Sequence, residues 1–363
     1  MNEYEIKHIH DIVKDSFWIM PQTPTFINSG VPYITSKNIK NETLSFKNIS
    51  YISESDYRAI SNSRPIEIGD VLISMIGTLG EIAEVKKEHG EFYGQNMFLL
   101  RLNNEIIDKR FFFNYFKSDI AKICINQSHN KSTQKYLKAN HILEMNIPLP
   151  PLETQKQIAA NLDKVTHTID LCNNILEKLD LLVKSRFVEM FFEKGYPVLM
   201  WNDVFNTKTG KLDSNAMVED GEYPFFTCSK EVLRIDQYAF DQEALLLAGN
   251  NAAGKYDVKY YKGKFNAYQR TYVLGLKQAW SYRLFQYQLE DKLVYLQQQS
   301  LGGLTKYLTM KILGELSFII PPMDKQSEFE RFVSQTDKSK SAVKQVLEKA
   351  ETLKKALMQE YFG

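Results

Sequence analysis

The sequence has few cysteines, no long apolar run and no amino-terminal signal, and each shortage excludes a class of protein. Cys124, Cys172 and Cys228 lie far apart and form no CxxC pair, which argues against a zinc site and fits a reducing cytoplasm. The longest apolar runs, such as residues 244–248, are much too short to span a membrane. The first five residues are acidic and lack the apolar core of a secretory signal. We therefore expect a cytoplasmic protein with no membrane partner.

The chain also has almost no net charge. A formal charge of +1 at pH 7 means that any surface for nucleic acid must be local. Hydrophobic residues make up 44% and charged residues 25%, which is typical of a folded globular protein and not of a disordered one. At 363 residues, the chain is long enough for two or more domains, each with its own core.

Several motifs of enzymes and cofactor sites are missing. The sequence has no Asn/Asp-Pro-Pro-aromatic motif and no strand-borne GxGxxG loop, which excludes a methyltransferase. The Gly77-Thr78-Leu79-Gly80 loop lacks the lysine of a P-loop. His8 and His10 have the spacing of metal ligands, but no cysteine or acidic cluster accompanies them, so we interpret them as the start of an exposed strand.

One enzymatic alternative remains open. Two acidic sets resemble the acid…(Asp/Glu)-x-Lys pattern of metal-dependent nucleases, in which carboxylates hold Mg²⁺ against a phosphate. They are Asp70 with Glu84 and Lys86, and Asp241 with Asp257 and Lys259. The pattern is short and common in charged strands, so a DNA nuclease is the second hypothesis and not the first.

The sequence does contain an internal duplication. The segment Pro150-Pro151-Leu152-Glu153-Thr154-Gln155 has a second copy 171 positions later, Pro321-Pro322-Met323-Asp324-Lys325-Gln326. The same offset places Leu176-Glu177-Lys178 on Leu347-Glu348-Lys349, and Phe191 on Phe362. A repeat of this length predicts two tandem units, each a globular segment followed by a long helix.

Each repeat carries the pattern of a coiled-coil helix. The paired prolines end the preceding segment and start a helix of about 40 residues, roughly 60 Å long. Apolar residues then recur at spacings of four and three, with Arg186, Lys340 and Lys354 as charged exceptions. The apolar positions of the first helix are Ile158, Leu162, Val165, Ile169, Cys172, Leu176, Leu179, Val183 and Met190. We expect the helices to pack on each other or on a partner; the alternative is packing on their own domains.

The globular segments follow one plan. In the first, we predict a strand at Val31–Thr35, a turn and buried strand at Gly69–Met75, a strand at Gln95–Leu102 and an aromatic helix at Arg110–Cys124. In the second, the corresponding segments are Pro224–Thr227, Gln242–Leu246, Gln269–Val273 and a helix at Trp280–Gln297. The loops differ most, which suits two related binding sites with different ligands.

These motifs resemble a known family. Residues 150–159, Pro-Pro-Leu-Glu-Thr-Gln-Lys-Gln-Ile-Ala, are similar to the opening of the conserved region in the specificity subunits of type I restriction–modification enzymes. Residues 30–35, 69–74 and 221–230 resemble landmarks of the target recognition domains of that family. The resemblance covers essentially the whole chain. It departs at Met20-Pro21-Gln22, where the family often has paired glycines.

The resemblance implies an architecture. It predicts an α/β (α+β) fold with two similar target recognition domains, held apart by two long antiparallel coiled-coil helices in a pseudo-twofold repeat. The domains would be residues 1–149 (target recognition domain 1), 150–194 (central conserved helix), 195–320 (target recognition domain 2) and 321–363 (C-terminal conserved helix).

The resemblance also implies a function. Each domain would read one half of a bipartite, asymmetric site in double-stranded DNA, and the helices would space the domains and dock two methyltransferase (M) subunits. Restriction/translocase (R) subunits would complete the complex. The chain itself would be non-catalytic and hold no cofactor or metal, while S-adenosylmethionine, ATP and Mg²⁺ would belong to the partner subunits.

Polar and basic loop residues supply the candidate DNA contacts. Residues 251–271 carry five basic side chains against one acid, with tyrosines between them. Lysines suit phosphates, whereas Gln, Asn and Arg suit base edges in the major groove. For each patch, the structural alternative is that its residues only form a turn or a solvent-exposed basic loop. The candidates are Ser36, Lys37, Asn38, Thr78, Gln95, Asn96, Asn130, Lys131, Lys135, Ser229, Lys230, Asn250, Asn251, Lys255, Tyr256, Lys259, Lys262, Gln269, Arg270 and Lys306.

If the helices set the distance between the two readers, helix length should set the gap between half-sites. One heptad inserted after Leu176 keeps the seam on one face and adds roughly 10 Å of helix. DNA rises about 3.4 Å per base pair, so we expect both half-sites to be kept and the gap to lengthen by at most about three base pairs. Methylation mapping measures this gap. An unchanged gap at full activity would restrict the helices to docking.

Overall fold

The computed structural model describes residues 4–127, 137–252, 254–303 and 305–363. The chain divides into two compact units, residues 1–173 with 345–363 (unit 1) and residues 174–344 (unit 2). Two helices of 40 residues each, as the repeat predicts, contribute residues to both units.

Unit 1 is a mixed α/β unit that includes the first half of one long helix and the end of the other. Its strands are β1 (Glu5–His8), β2 (Val13–Ile19), β3 (Phe26–Ile27), β4 (Val31–Thr35), β5 (Ile39–Lys40), β6 (Thr43–Leu44), β7 (Ser50–Ile52), β8 (Val71–Ser74), β9 (Ile82–Glu84), β10 (Tyr93–Gln95), β11 (Met97–Leu102) and β12 (Asn146–Leu149). Its helices are α1 (Glu54–Ser61), α2 (Lys109–Phe116), α3 (Asp119–Gln127), α4 (Ala139–Leu143) and the first half of α5 (Leu152–Phe191).

Unit 2 repeats the plan. Its strands are β13 (Val198–Met200), β14 (Phe205–Thr209), β15 (Tyr223–Phe226), β16 (Leu233–Ile235), β17 (Phe240–Ala248), β18 (Asn250–Asn251), β19 (Val258–Ala267), β20 (Thr271–Leu276), β21 (Lys306–Tyr307) and β22 (Ser317–Ile319). Its helices are α6 (Trp201–Val204), α7 (Tyr282–Asp291), α8 (Leu293–Gln299), α9 (Met310–Gly314) and the first part of α10 (Met323–Phe362).

The central sheet of unit 1 is buried on both faces. It has the strand order β2-β11-β8-β9, and a second sheet has the order β10-β4-β7-β3. Side chains alternate along a strand, so Val71 and Ile73 pack into a core shared with the helices, while Leu72 packs between the two sheets. Because both faces are covered, the strand is a continuous apolar run and not an alternating one.

Unit 2 builds the same two layers from a single sheet, ordered β14-β20-β17-β19-β15-β16. Leu245 and Leu247 of β17 pack into the helix-side core, and Leu246 packs into a smaller core on the opposite face. The long strand β19 pairs with both β17 and β15. In unit 1 the corresponding pairings are made by two separate strands, β9 with β8 and β10 with β4. The two layers are therefore joined in unit 2 and separate in unit 1.

Most predicted strands are confirmed, but three predicted elements are interrupted. The strand predicted at Gln95–Leu102 breaks at Asn96, whose φ of 63° is left-handed and incompatible with a strand. The aromatic helix of unit 1 ends at Phe116, and Ser118 caps a second helix by accepting a hydrogen bond from the Ala121 N–H at 3.2 Å. The corresponding helix of unit 2 breaks at Lys292.

A buried glutamine fixes the start of each long helix. The Gln155 side chain is fully buried, and its amide nitrogen donates to the Pro150 carbonyl at 2.8 Å and the Ile106 carbonyl at 3.0 Å. Its amide oxygen accepts from the Asp108 N–H at 2.8 Å, and Asp108 is the N-cap of α2. One side chain therefore joins the Pro-Pro turn, the long helix and the domain helix.

Gln326 repeats this arrangement in unit 2. It is also fully buried, donates to the Pro321 carbonyl at 2.8 Å and accepts from the Ser281 N–H at 3.0 Å. Ser281 is the N-cap of α7, the counterpart of α2. The repeated Gln of the two Pro-Pro motifs is thus a repeated structural clamp.

The seam of the long helices is apolar where the pattern predicts it. All nine apolar seam positions of α5 are buried or half-buried. In unit 1, Ile158 and Leu162 of α5 share a core with Leu357 and Phe362 of α10. In unit 2, Val183 and Met190 of α5 share a core with Phe329 and Val333 of α10. In each unit the two helices therefore pack on each other and also on the domain.

Two of the three charged seam residues are paired within unit 2. Arg186 Nη2 lies 2.6 Å from Glu328 Oε1, and Lys340 Nζ lies 2.6 Å from Asp180 Oδ1. The hydrogen bond from Arg186 to Glu189 raises the pKa of Arg186, and Glu328 adds to the effect. None of the described helices combines the length and apolar character that crossing a bilayer requires.

Gln155→Leu should destabilise the protein without changing its volume greatly. The substitution leaves the Asp108 N–H and two carbonyl groups without these buried partners, which should lower the free energy of unfolding by about 2–4 kcal/mol. Urea denaturation measures the loss. Gln157→Leu is the matched control, because Gln157 lies two residues later and is exposed. Equal stability of the two variants would contradict the clamp.

Candidate nucleic-acid interface

Three loops of unit 1 meet at one edge of the sheets. Strands β4 and β10 are parallel, and Thr35 pairs with Gln95 at their carboxyl ends. Residues 36–38 follow β4, residues 95–96 end β10 and open β11, and residues 76–80 follow β8. We call these three segments the first loop cluster.

Two hydrogen bonds hold the first loop cluster together. Ser36 Oγ donates to the Ile76 carbonyl at 2.8 Å. The Met75 N–H donates to the Asn96 carbonyl at 3.2 Å. Parallel pairing and these bonds therefore bring together Ser36, Thr78, Gln95 and Asn96, which are as far as 60 positions apart in the sequence.

Two of the predicted contacts in this cluster are structural, and we revise them. Ser36 is 6% exposed, and its hydroxyl is used by Ile76. The Asn38 amide accepts from the Thr35 N–H at 2.9 Å and donates to the Ser45 carbonyl at 2.8 Å. Both side chains close the turn after β4, because a loop that leaves a parallel strand must satisfy its backbone groups locally.

The remaining predicted residues of unit 1 differ in solvent exposure. Lys37 and Thr78 are exposed, and Gln95 and Asn96 are half-buried. Burial raises the pKa of Tyr33 to about 12, and its hydroxyl donates to Gln95 Oε1 at 3.5 Å. The predicted residues Asn130, Lys131 and Lys135 lie outside the described residues.

Unit 2 has an equivalent second loop cluster, formed by residues 227–230, 249–251 and 268–270. Strands β15 and β19 are parallel, with Phe226 opposite Ala267, so residues 227–230 and 268–270 lie together. The Gly249 N–H, after β17, donates to the Arg270 carbonyl at 2.8 Å. Cys228 Sγ donates to the same carbonyl at 3.4 Å.

Two further segments, residues 306–307 and residues 255–259, adjoin the second loop cluster. Asn250 and Asn251 pair with Tyr307 and Lys306 as short antiparallel strands. Asn251 Oδ1 accepts from the Lys255 N–H at 3.2 Å. On the other side, Lys259 Nζ donates to the Ser229 carbonyl at 2.9 Å and also pairs with Asp257.

Most predicted residues of unit 2 are thus gathered on one surface. The exposed ones are Ser229, Lys230, Lys255, Gln269 and Arg270, and the half-buried ones are Asn250, Asn251, Lys259 and Lys306. Five of these nine side chains are cationic; Asp257 neutralises Lys259, and the other four create a local basic surface on a chain of net charge +1. Such a surface suits phosphates, and the exposed Arg270 guanidinium suits base edges, while the Gln269 amide donates to Asp213 Oδ2 at 3.2 Å.

Two predicted residues of unit 2 are placed differently. Tyr256 is 8% exposed and packs in the helix-side core, where burial raises the pKa of its hydroxyl. We revise it to a structural residue, because a contact with DNA would require the ring to leave the core. Lys262 lies in the middle of β19, opposite Glu243, with Nζ 3.2 Å from Glu243 Oε2.

The sequence argument missed Lys211. It lies in the loop after β14, which reaches the cluster because the Gln269 N–H donates to the Leu212 carbonyl at 2.9 Å. Gly210 permits this approach, since a Cβ there would lie 1.7 Å from the Ala267 carbonyl oxygen. Lys211 is exposed and immediately precedes Leu212, which accepts the bond from Gln269. Its only signal in the sequence is a basic residue in a Gly-Lys turn.

The acidic sets of the nuclease alternative do not form a metal site. Asp70 is 1% exposed and binds Arg101 through two hydrogen bonds of 2.9 Å, which raise the pKa of Arg101. Glu84 Oε1 lies 2.5 Å from Lys109 Nζ. Within the described residues, no three His, Cys, Asp or Glu side chains are placed to hold a metal ion. Asp70, Glu84 and Asp257 each neutralise a neighbouring cation instead.

Comparison with known proteins points to one family. Residues 1–181 and 194–352 match the family model described as the type I restriction modification DNA specificity domain. Over 151 residues the chain is 34% identical to the type I restriction enzyme EcoDI specificity subunit of Escherichia coli. That match covers 40% of this chain and 32% of the relative, so it spans about a third of the relative's length.

Solved structures share the fold. The S subunit of a type I restriction–modification system from M. genitalium aligns with a TM-score of 0.66 at 15% identity, over 100% of this chain and 97% of that chain. A second chain, from a study of complex assembly and conformational transition of the type I R-M system, aligns with a TM-score of 0.56 at 16% identity. It covers 100% of this chain and 98% of its own.

Arg270→Ala tests the second loop cluster. If the exposed guanidinium makes a bidentate contact with a base, its loss should cost about 1–3 kcal/mol and relax specificity at one base pair. Lys230→Ala, an exposed lysine of the same cluster, should instead weaken binding to all sequences and reduce the salt dependence by about one ion. Binding to cognate and random DNA at several salt concentrations separates the two effects. Equal effects of both variants on both DNAs would place the reading surface elsewhere.

Proposed function

The chain belongs to the family of type I restriction–modification DNA specificity domains, and on that premise we propose that it is the specificity subunit of a type I restriction–modification complex. Each unit reads one half of a bipartite, asymmetric site in double-stranded DNA. The observation that supports this proposal is the pair of equivalent loop clusters, which share a scaffold and differ in their side chains.

The equivalence of the clusters rests on backbone hydrogen bonds. In unit 1, Met75 donates to the Asn96 carbonyl and accepts from the Leu137 N–H at 3.0 Å. In unit 2, Gly249 donates to the Arg270 carbonyl and accepts from the Leu308 N–H at 2.8 Å. Equal frameworks with unequal side chains, Asn96 against Arg270, are what two readers of different half-sites require.

The second loop cluster has the chemistry of a DNA reader. Arg270, Gln269 and Asn250 are the side chains that offer hydrogen bonds to base edges. The surrounding lysines contact phosphates and supply affinity that does not depend on sequence. In unit 1, Lys37, Thr78, Gln95 and Asn96 take these roles, together with Asn130, Lys131 and Lys135 outside the described residues.

The rest of the chain organises the complex. Residues 1–149 and 195–320 are the two recognition domains, and residues 150–194 and 321–363 are the conserved helices that space them and dock two methyltransferase subunits. Restriction/translocase subunits complete the assembly. The chain contributes recognition and no catalysis, and S-adenosylmethionine, ATP and Mg²⁺ act on the partner subunits, in the cytoplasm.

Exchange of one domain tests the proposal. Replacing residues 198–317 with the equivalent segment of another family member should change one half of the methylated sequence and leave the other half intact, because each unit has its own core. Single-molecule sequencing of adenine methylation, in cells that carry the partner subunits, reports both halves and their gap. The reciprocal exchange of residues 5–146 is the control and should alter the other half. A simultaneous change in both halves would reject the two-reader proposal.

A further inference from the structure

The first loop cluster contains one exposed apolar side chain, that of Ile76. Ile76 is 39% exposed, although it directly follows Met75, which is fully buried, and β8, whose four residues are all buried. Its neighbours in the cluster are polar: Ser36, Thr78 and Asn96. Single exposed apolar side chains are common on protein surfaces, but this one lies in the loop cluster to which the proposed function assigns DNA recognition.

The backbone that carries Ile76 is fixed. Its own carbonyl accepts from Ser36 Oγ at 2.8 Å. The preceding residue, Met75, is held on both sides by Asn96 and Leu137. The following residue, Gly77, has φ +86°, and a Cβ built there would meet nothing within 4 Å. The Ile76 side chain therefore stands on a rigid support next to open space, which reduces the entropic cost of a contact.

Unit 2 places a different kind of residue at this position. The hydrogen bonds that make Met75 equivalent to Gly249 make Ile76 equivalent to Asn250. Asn250 is half-buried and pairs with Tyr307 at the edge of the second loop cluster. Asparagine can form a bidentate pair with adenine in the major groove, whereas isoleucine offers only apolar contact.

We propose that Ile76 is a specificity-determining residue of unit 1 that packs against the 5-methyl group of a thymine in the first half-site. The proposal rests on the proposed function, because it assumes that the first loop cluster enters the major groove. The thymine methyl is the apolar group that the major groove presents, and cytosine lacks it. Position 76 reads a methyl group, and the equivalent position 250 reads a hydrogen-bonding edge.

Replacing thymine by deoxyuridine tests this contact, because uracil pairs as thymine does and lacks only the methyl group. The full complex with its methyltransferase subunits is assayed for binding to its cognate site, with each thymine of the first half-site replaced in turn. Burial of one methyl group is worth roughly fourfold in affinity. We expect the wild type to lose roughly fourfold at one thymine, and Ile76→Ala to bind thymine and uracil equally there.

Ile68→Ala is the matched control. Ile68 is also in unit 1 and is 69% exposed, but it lies outside the first loop cluster. This variant should keep the wild-type discrimination between thymine and uracil. Substitutions in the second half-site should affect the wild type and Ile76→Ala alike.

The outcomes separate this proposal from the proposed function. A bipartite methylated site with no thymine in the first half, or equal thymine–uracil discrimination by the wild type and Ile76→Ala, would overturn the role of Ile76 and leave the subunit assignment standing. Loss of discrimination by both Ile76→Ala and Ile68→Ala would also overturn it, because the effect would then be general. If the complex methylates no bipartite site, the proposed function fails and this proposal fails with it.

Discussion

The buried glutamine at the start of each long helix is the interaction on which the rest of the structure depends. The buried Gln155 side chain forms hydrogen bonds with three backbone groups, and the buried Gln326 side chain does so with two. Buried backbone groups without partners are costly, so the Pro-Pro turn, the long helix and the N-cap of the domain helix are held in one relation. Both copies of the duplicated unit keep this clamp, whereas the loops of the two loop clusters have diverged.

The loop clusters follow from the sheets. A parallel strand pair brings two carboxyl ends to one edge, and the strand from the central sheet adds a third loop there. Unit 1 uses two short strands where unit 2 uses the continuous β19, yet the hydrogen bonds that anchor the loops are the same. The scaffold therefore tolerates a change in sheet continuity, because these shared bonds involve only backbone atoms. The side-chain bonds of Ser36 and Cys228 differ between the units.

Charged side chains have two different roles in this protein, which the amino-acid composition alone cannot distinguish. Asp70 with Arg101, Glu84 with Lys109, and Arg186 with Glu328 are neutralised within the fold. Lys211, Lys230 and Lys255, in or next to the second loop cluster, are exposed instead, and this local excess of positive charge exists although the whole chain carries +1. A nearly neutral protein can thus present a surface suited to a polyanion, since the field near the surface depends on local charge.

The sequence by itself determined the duplication, the bounds of the two long helices, the apolar seam and the buried strands. These features are periodic and local: a helix repeats every 3.6 residues, and a strand covered on both faces is an apolar run. The sequence also located most of the polar loop residues that the fold gathers, such as Gln95, Asn250 and Arg270.

Tertiary structure alone decided which loop residues are available to a ligand. Ser36 and Tyr256 have suitable chemistry, but a hydrogen bond and packing from distant segments occupy or bury them. Asn38, by contrast, is occupied by local hydrogen bonds with Thr35 and Ser45. Ile76 is apolar, as core residues usually are, and only the placement of the three loops leaves its side chain exposed. The physical reason is that burial and hydrogen-bond satisfaction are non-local: they depend on strands that pair across 60 or more residues, which no local pattern records.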